Sequence, residues 1–148
     1  MPKIIILSGI PCSGKSTFAW YQGIPIISRD HFRWTLFQQP YKFSSSNENR
    51  ITRYSTATLL YHIENNDPII VDNTHCNEKD IDKLINWMSD HAPQYEIQVK
   101  FFDIPLYKAY YRNIIRCYQT DKWIPFKAIK RMYNNYQKIN KEKYKQYE

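Results

Sequence analysis

Eight residues near the amino terminus, Gly9-Ile-Pro-Cys-Ser-Gly14-Lys15-Ser16, limit the folds open to this chain more than any other stretch. They fit the pattern G-x-x-x-x-G-K-[ST] at every required position. The apolar run Ile4–Leu7 precedes them, and Thr17-Phe-Ala-Trp-Tyr follows. A buried strand, a tight loop and a helix start thus come in the order that a phosphate cradle needs. Glycine at 9 and 14 lets the backbone wrap an anion without a Cβ in the way. Successive N–H groups of Cys12, Ser13, Gly14, Lys15, Ser16 and Thr17 and the helix N-terminus then face that anion. Lys15 is placed to reach β- and γ-phosphates, and Ser16 is placed to hold Mg²⁺. The expected ligand is ATP or another nucleoside triphosphate. Cys12 reads as a small filler within the loop.

The remainder of the 148 residues alternates strand and helix patterns. Strands are expected at Lys3–Ser8, Ile24–Ser28, Pro68–Val71 and Tyr95–Phe102. Helices are expected from Lys15 to a stop at Gly23, over a short turn from Arg29 to about Phe37, and behind a capping box at Ser45–Glu48. Further helices are expected from about Asn77, Pro105 and Pro125. The helix behind Ser45 shows Ile51, Tyr54, Thr58 and Tyr61 on one stripe. The last helix turns Phe126, Ile129, Tyr133, Tyr136 and Ile139 inward. Strands separated by helices imply right-handed crossovers. The expected class is therefore α/β, with a parallel sheet of about four strands flanked by helices. A single domain is expected over residues 1–148. Ligands in such sheets gather beyond the carboxyl ends of the strands. Ser8-Gly9, Arg29-Asp30, Asp72-Asn73 and Asp103 are expected there.

Composition excludes several classes. No run approaches membrane-spanning length and no signal peptide is visible, so no membrane partner and a cytoplasmic location are expected. Cys12, Cys76 and Cys117 show no C-x-x-C spacing and read as reduced thiols; the four histidines are scattered, which argues against zinc. Net charge is +7. Between residues 125 and 148, Lys127, Lys130, Arg131, Lys138, Lys141, Lys143 and Lys145 face only Glu142 and Glu148, which suits a polyanionic partner or a solvated helix face.

Asp30, just past the second strand, is the candidate general base, with a helix N-cap as the competing role. Arg33, three residues on, suits an acceptor's phosphate or carboxylate. Arg112 and Arg116 share one helix face and can close over β- and γ-phosphates, with Thr120 and Asp121 in the loop that follows. Asp72 fits a Mg²⁺ water, an arginine partner or a turn. Asp80-Ile-Asp82 sits in a first helical turn, where acids suit the dipole, and is not read as catalytic.

Together these stretches resemble the kinase domain of bacteriophage-type polynucleotide 5′-kinases. The loop Gly9–Thr17, Arg29-Asp30-His31-Phe32-Arg33, Asp72-Asn73-Thr74, Phe102-Asp103-Ile104-Pro105 and Arg112-Asn113-Ile-Ile-Arg116 are similar to that family's motifs in the same order, and Ile124-Pro125 and Arg131-Met132-Tyr133 continue the match. The resemblance implies transfer of a γ-phosphoryl group to the 5′-hydroxyl of DNA or RNA. It implies Lys15 and Ser16 on the donor phosphates and Mg²⁺, and Asp30 as base. It also implies a three-layer P-loop kinase fold, Arg33 on the acceptor, Asp72 in the polar network, and Arg112 and Arg116 as the clamp of a lid region at about 112–124. No D-x-D-G-T motif is present, so 3′-phosphatase activity is not expected. Trp34, Tyr41, Phe43, Arg50 and Arg53 are candidates for the acceptor pocket. Kinases of a nucleoside, of a small hydroxyl metabolite or of a hydroxylated DNA base share this donor machinery and remain alternatives. So does a nucleotide-gated binding module without transfer.

Overall fold

The computed structural model describes residues 1–120 and 122–147. Strands β1 (Lys3–Ser8), β2 (Ile26–Ile27), β3 (Ile69–Val71) and β4 (Glu96–Phe101) form one parallel sheet in the order β2-β3-β1-β4. Around it lie α1 (Lys15–Tyr21), α2 (Arg29–Leu36), α3 (Ser45–Glu64), α4 (Glu78–His91), α5 (Leu106–Thr120) and α6 (Phe126–Gln137). This is the α/β P-loop kinase fold.

β1 is apolar along its length because both of its faces are covered, as parallel sheets require. Ile4 and Ile6 point to one face and Ile5 and Leu7 to the other, all of them buried. Ile5 and Leu7 pack with Ala19 of α1 and Ile70 of β3. Ile6 packs with Ile81, Ala109, Ile129 and Tyr136 from α4, α5 and α6. Each such side chain contributes about 1.5–3 kcal/mol on burial. Ile4 pairs in register with Ile69 on one side and Ile97 on the other. The loop after β1 therefore opens at the carboxyl ends of the strands, with β3 on one side and β4 on the other, where a ligand crevice forms.

Several boundaries and faces differ from the sequence expectation. β2 is two residues long, because Pro25 precedes it and Ser28 already caps α2. α3 is capped by Ser44, whose side chain accepts from the Asn47 N–H, so the Ser45–Glu48 capping box does not form. Glu48 is drawn instead to two arginines. The buried stripe of α3 is Ile51, Leu59 and Ile63, while Tyr54 and Tyr61 are exposed. Aliphatic side chains take the sheet side, and tyrosine keeps its hydroxyl in water. Thr120 is the last residue of α5 rather than part of a loop, and Asp121 lies outside the described residues. Phe126 is more than a third exposed, unlike Ile129 and Tyr136.

The C-terminal segment returns to the sheet. The Val99 N–H donates to the Lys145 carbonyl at 2.9 Å, and the Tyr147 N–H donates to the Val99 carbonyl at 3.0 Å. This return uses three of the C-terminal lysines for pairing. Lys141 meets Asp103, Lys143 meets Asp82, and Lys145 meets Glu96. Asp103 accepts from the Tyr136 hydroxyl as well, so it anchors this segment and does not face the crevice. Among the described residues, no helix is long and apolar enough to cross a membrane.

Candidate active site

The phosphate loop has the geometry its glycines demand. A Cβ at position 9 would stand 2.8 Å from Ser13 Oγ and 3.0 Å from Phe102 Cβ, so only glycine fits against the end of β4. Gly14 has open space around it but a φ of +98°, which L side chains rarely adopt. α1 then starts at Lys15. Lys15 is buried, and its Nζ donates to the Ile10 carbonyl at 3.1 Å. Burial pushes the Lys15 pKa below its ordinary value, and Asp72 pulls the other way. Its charge is thus met by one neutral acceptor among the described residues, an arrangement that favours a nearby anion. Ser13 Oγ is buried beside it with no hydrogen-bond partner among the described residues. Ser16 Oγ donates to Asp72 Oδ2 at 2.7 Å, so these two oxygens meet at the edge of the cradle. Asp72 makes no ion pair with an arginine among the described residues, and its N–H continues the sheet by donating to the Ile27 carbonyl at 2.8 Å.

α2 carries the opposite wall. Its N-cap is Ser28, whose hydroxyl accepts from the His31 N–H at 3.3 Å. Capping is therefore not the role of Asp30. The Asp30 side chain instead leans across the crevice, where Oδ2 accepts from Lys122 Nζ at 3.2 Å and Oδ1 lies 3.8 Å from Arg33. Arg33 is mostly committed elsewhere, since its Nε and Nη2 grip Glu48 at 3.1 and 2.7 Å. Arg29, one turn earlier on the same face, reaches Glu48 as well at 3.3 Å. Tyr41 completes the group, with its hydroxyl 2.6 Å from Glu48 Oε2. The hydrogen bonds from Arg33 hold the Glu48 carboxyl down at about 2, against an ordinary 4.5.

α5 brings the third wall. Arg112 Nη1 donates to the Cys12 carbonyl at 3.1 Å, a contact between residues a hundred positions apart. Cys12 itself stands at a φ of +65°, in the left-handed region. One turn on, Arg116 lines the same crevice, and its buried Nε has no partner among the described residues. The Arg116 charge opposes that of Lys15 across the cradle. Beyond α5, Lys122 stacks over Trp34 at 4.6 Å while holding Asp30.

These walls enclose a cleft of about 1850 Å³. A pocket for one small ligand is typically about 300–1,000 Å³, so there is room here for two substrates. Cys12, Ser13, Gly14, Lys15, Ser16, Thr17, Asp30, Arg33, Asp72, Arg112 and Arg116 all line it. Gly9 lies beneath, packed against Phe102. Trp34, Tyr41 and Phe43 line the cleft, whereas Arg50 sits over the Phe37 ring at 5.4 Å and Arg53 is exposed; neither lines it. Sequence reasoning missed two residues that organise the site. Glu48 was visible only as a cap residue, and its arginine partners are 15 and 19 positions away. Lys122 carries no motif, and its partner Asp30 is 92 positions away. Asp80 lines the cleft, and its carboxylate accepts from Asn77 Nδ2 at 3.0 Å, whereas Asp82 is bound to the returning C-terminal segment.

Residues 4–139 match a family described as an AAA domain, and the chain belongs to that family. A protein of Autographa californica nuclear polyhedrosis virus, named as a bifunctional polynucleotide kinase/RNA ligase, is 27% identical over 156 aligned positions; these span 96% of this chain and 22% of that protein. A chain in the structure of the Pnkp1/Rnl/Hen1 RNA repair complex is 33% identical with a TM-score of 0.84, over 97% of this chain and 46% of that one. This chain thus spans less than half the length of either relative. Shikimate kinase from Aquifex aeolicus shares the fold, with a TM-score of 0.51 at 19% identity over 95% of this chain and 82% of that one. Membership of a P-loop kinase family makes the donor a nucleotide.

Proposed function

We propose that this AAA-domain chain moves the γ-phosphoryl group of ATP or another nucleoside triphosphate onto the 5′-hydroxyl end of DNA or RNA. One observation carries the reading. The carboxylate of Asp30 and the ammonium of Lys15 belong to one cleft, Arg112 of α5 reaches the same loop from the other side, and Arg116 lines that cleft. The names of the two longer relatives, a polynucleotide kinase and an RNA repair assembly, support nucleic acid as the acceptor.

In this reading the loop N–H groups and Lys15 bind the donor phosphates. Asp30 orients the incoming 5′-hydroxyl and takes its proton. The new O–P bond forms as the bond to the β-phosphate oxygen breaks, and a nucleoside diphosphate leaves. Arg112 and Arg116, within a lid at about 112–124, neutralise charge that spreads over the transferred group. Arg33, held in place by Glu48, presents the acceptor side. Ser16 and Asp72 are the residues that would hold Mg²⁺, since paired oxygen donors 2.7 Å apart at the cradle suit a hard cation that keeps water and phosphate ligands. When bound, that ion would offset the negative charge of the donor phosphates.

The test is incubation with Mg²⁺ and γ-labelled ATP beside oligonucleotides bearing a 5′-hydroxyl or a 5′-phosphate, and beside free nucleosides. Label on the hydroxyl oligonucleotide alone supports the proposal. Label on nucleosides alone replaces it with a nucleoside kinase, and nucleotide binding without transfer replaces it with a binding module.

A further inference from the structure

The net charge of the C-terminal quarter separates into two populations. Lys141, Lys143 and Lys145 each sit on a carboxylate. Lys127, Lys130, Arg131 and Lys138, on α6 and at its end, form no ion pair among the described residues. Together with Asn134 and Asn135 they line a shallow groove of about 390 Å³. α6 itself contains no acidic residue. Like charges three and four apart on a helix are mutually destabilising by tenths of a kcal/mol each. They are therefore not placed here for the stability of the helix.

The groove and the cleft are separate cavities that share α6, since Met132 of that helix lines the cleft. Lys122, Trp123 and Ile124 line the cleft, and the chain turns directly from them into α6 at Pro125. The step between is aromatic and open to solvent. Trp123 is 48% exposed and Phe126 39% exposed, and their rings meet at 5.2 Å. Met132, in the middle of α6, faces the cleft from below. Along the chain from the cleft wall come Lys122, an exposed aromatic pair and then a row of cations without ion pairs among the described residues, with two amides. That order suits a single strand of nucleic acid, whose bases stack on exposed rings and whose phosphates meet lysine and arginine. From Lys127 to Lys138 the row is about 16 Å long, enough for about three to five consecutive phosphates.

We infer that the outward face of α6 is an exosite for the phosphodiester backbone of the acceptor strand, several nucleotides beyond the end that enters the cleft. This rests on the proposed nucleic-acid acceptor, so the test has one arm independent of catalysis. The variant is Lys127→Gln/Lys130→Gln/Lys138→Gln. All three side chains are exposed, so the fold is not at stake. In the first arm, anisotropy of a labelled 5′-phosphorylated 15-mer is followed against salt concentration. Binding by the variant is at least about tenfold weaker at 0.1 M salt, and the slope of log K against log salt flattens by about 2, at about 0.7 per single-strand phosphate contact. In the second arm, the KM for a 5′-hydroxyl 15-mer rises by a similar factor, while kcat and the KM for a dinucleotide stay at wild-type values. Arginine at the same three positions restores both. An unchanged salt slope, or a KM that rises equally for dinucleotide and 15-mer, overturns the exosite. So does wild-type protein that binds anionic lipid vesicles but not the 15-mer. A wild-type protein that labels no acceptor, yet loses salt-dependent 15-mer binding in the variant, keeps the exosite and removes the kinase reading. A variant identical to an active wild type does the reverse.

Discussion

Glu48→Gln is the perturbation whose size follows most directly from the structure. The Glu48 carboxylate accepts from Arg33 twice, from Arg29 and from the Tyr41 hydroxyl, and so ties α2, the loop after it and the first turn of α3 together. Hydrogen bonding from Arg33 lowers its pKa from 4.5 to about 2. Each unit of such a shift corresponds to about 1.4 kcal/mol at full strength. The side chain is 28% exposed, and solvent screening brings the net contribution to about 1–2 kcal/mol. Glutamine has one acceptor oxygen and turns an NH₂ toward cations, so most of this is lost. A folded-state pKa below the unfolded one means that the ionised form stabilises the native state. The contribution is complete above about pH 4.5 and disappears as the pH falls through about 2. Urea titrations at pH 7 and pH 3 read this out. At pH 7 the variant is about 1–2 kcal/mol less stable, about 3–6 °C in Tm for a domain of this size. The gap to wild type is clearly narrower at pH 3. Equal stabilities at pH 7, or a gap that widens on acidification, would refute the ion-pair hub.

Asp30→Ala lowers kcat for phosphoryl transfer by about 10²–10⁴ while leaving ATP affinity within a few-fold, as removal of a general base does; wild-type turnover in single-turnover kinetics removes the assignment. Arg116→Ala lowers kcat by about 10²–10³ with little change in acceptor KM, because its charge is needed where the transferring group develops negative charge; a raised KM with normal kcat reassigns it to substrate binding. At a hundred times its Kd, ATP stabilises the protein by about 2.7 kcal/mol, about 5–10 °C in thermal denaturation. Lys15→Met removes most of that shift at the same ATP concentration, and an undiminished shift contradicts the buried lysine as the phosphate anchor.

Local chemistry was legible in the sequence and long-range pairing was not. The cradle could be read because all its requirements fall within eight residues: a glycine against β4, a second glycine in the left-handed region and a lysine at the helix start. The sheet could be read because an apolar run bounded by turn residues has few other uses in an alternating pattern. The positions of Asp30, Asp72, Arg112 and Arg116 in one cleft follow from strand ends and helix periodicity. The α3 stripe was misread, since tyrosine satisfies an apolar period without having to be buried. Glu48 and Lys122 were invisible because an ion pair across 15 or 92 positions leaves no spacing to detect. The same limit governs the basic segment. Lys138 and Lys141 look alike in sequence, and only the return of the chain to β4 gives one of them a carboxylate and leaves the other without one.

The central claim is that the Asp30 carboxylate takes the proton of an incoming hydroxyl beside a nucleotide cradled at Lys15. A crystal structure with a non-hydrolysable ATP analogue and a 5′-hydroxyl dinucleotide measures this directly. The account predicts that Asp30 leaves Lys122 and lies about 2.6–3.2 Å from the 5′-oxygen, with that oxygen facing the γ-phosphorus. A 5′-oxygen seated elsewhere in the cleft, with Asp30 still paired to Lys122, would contradict it.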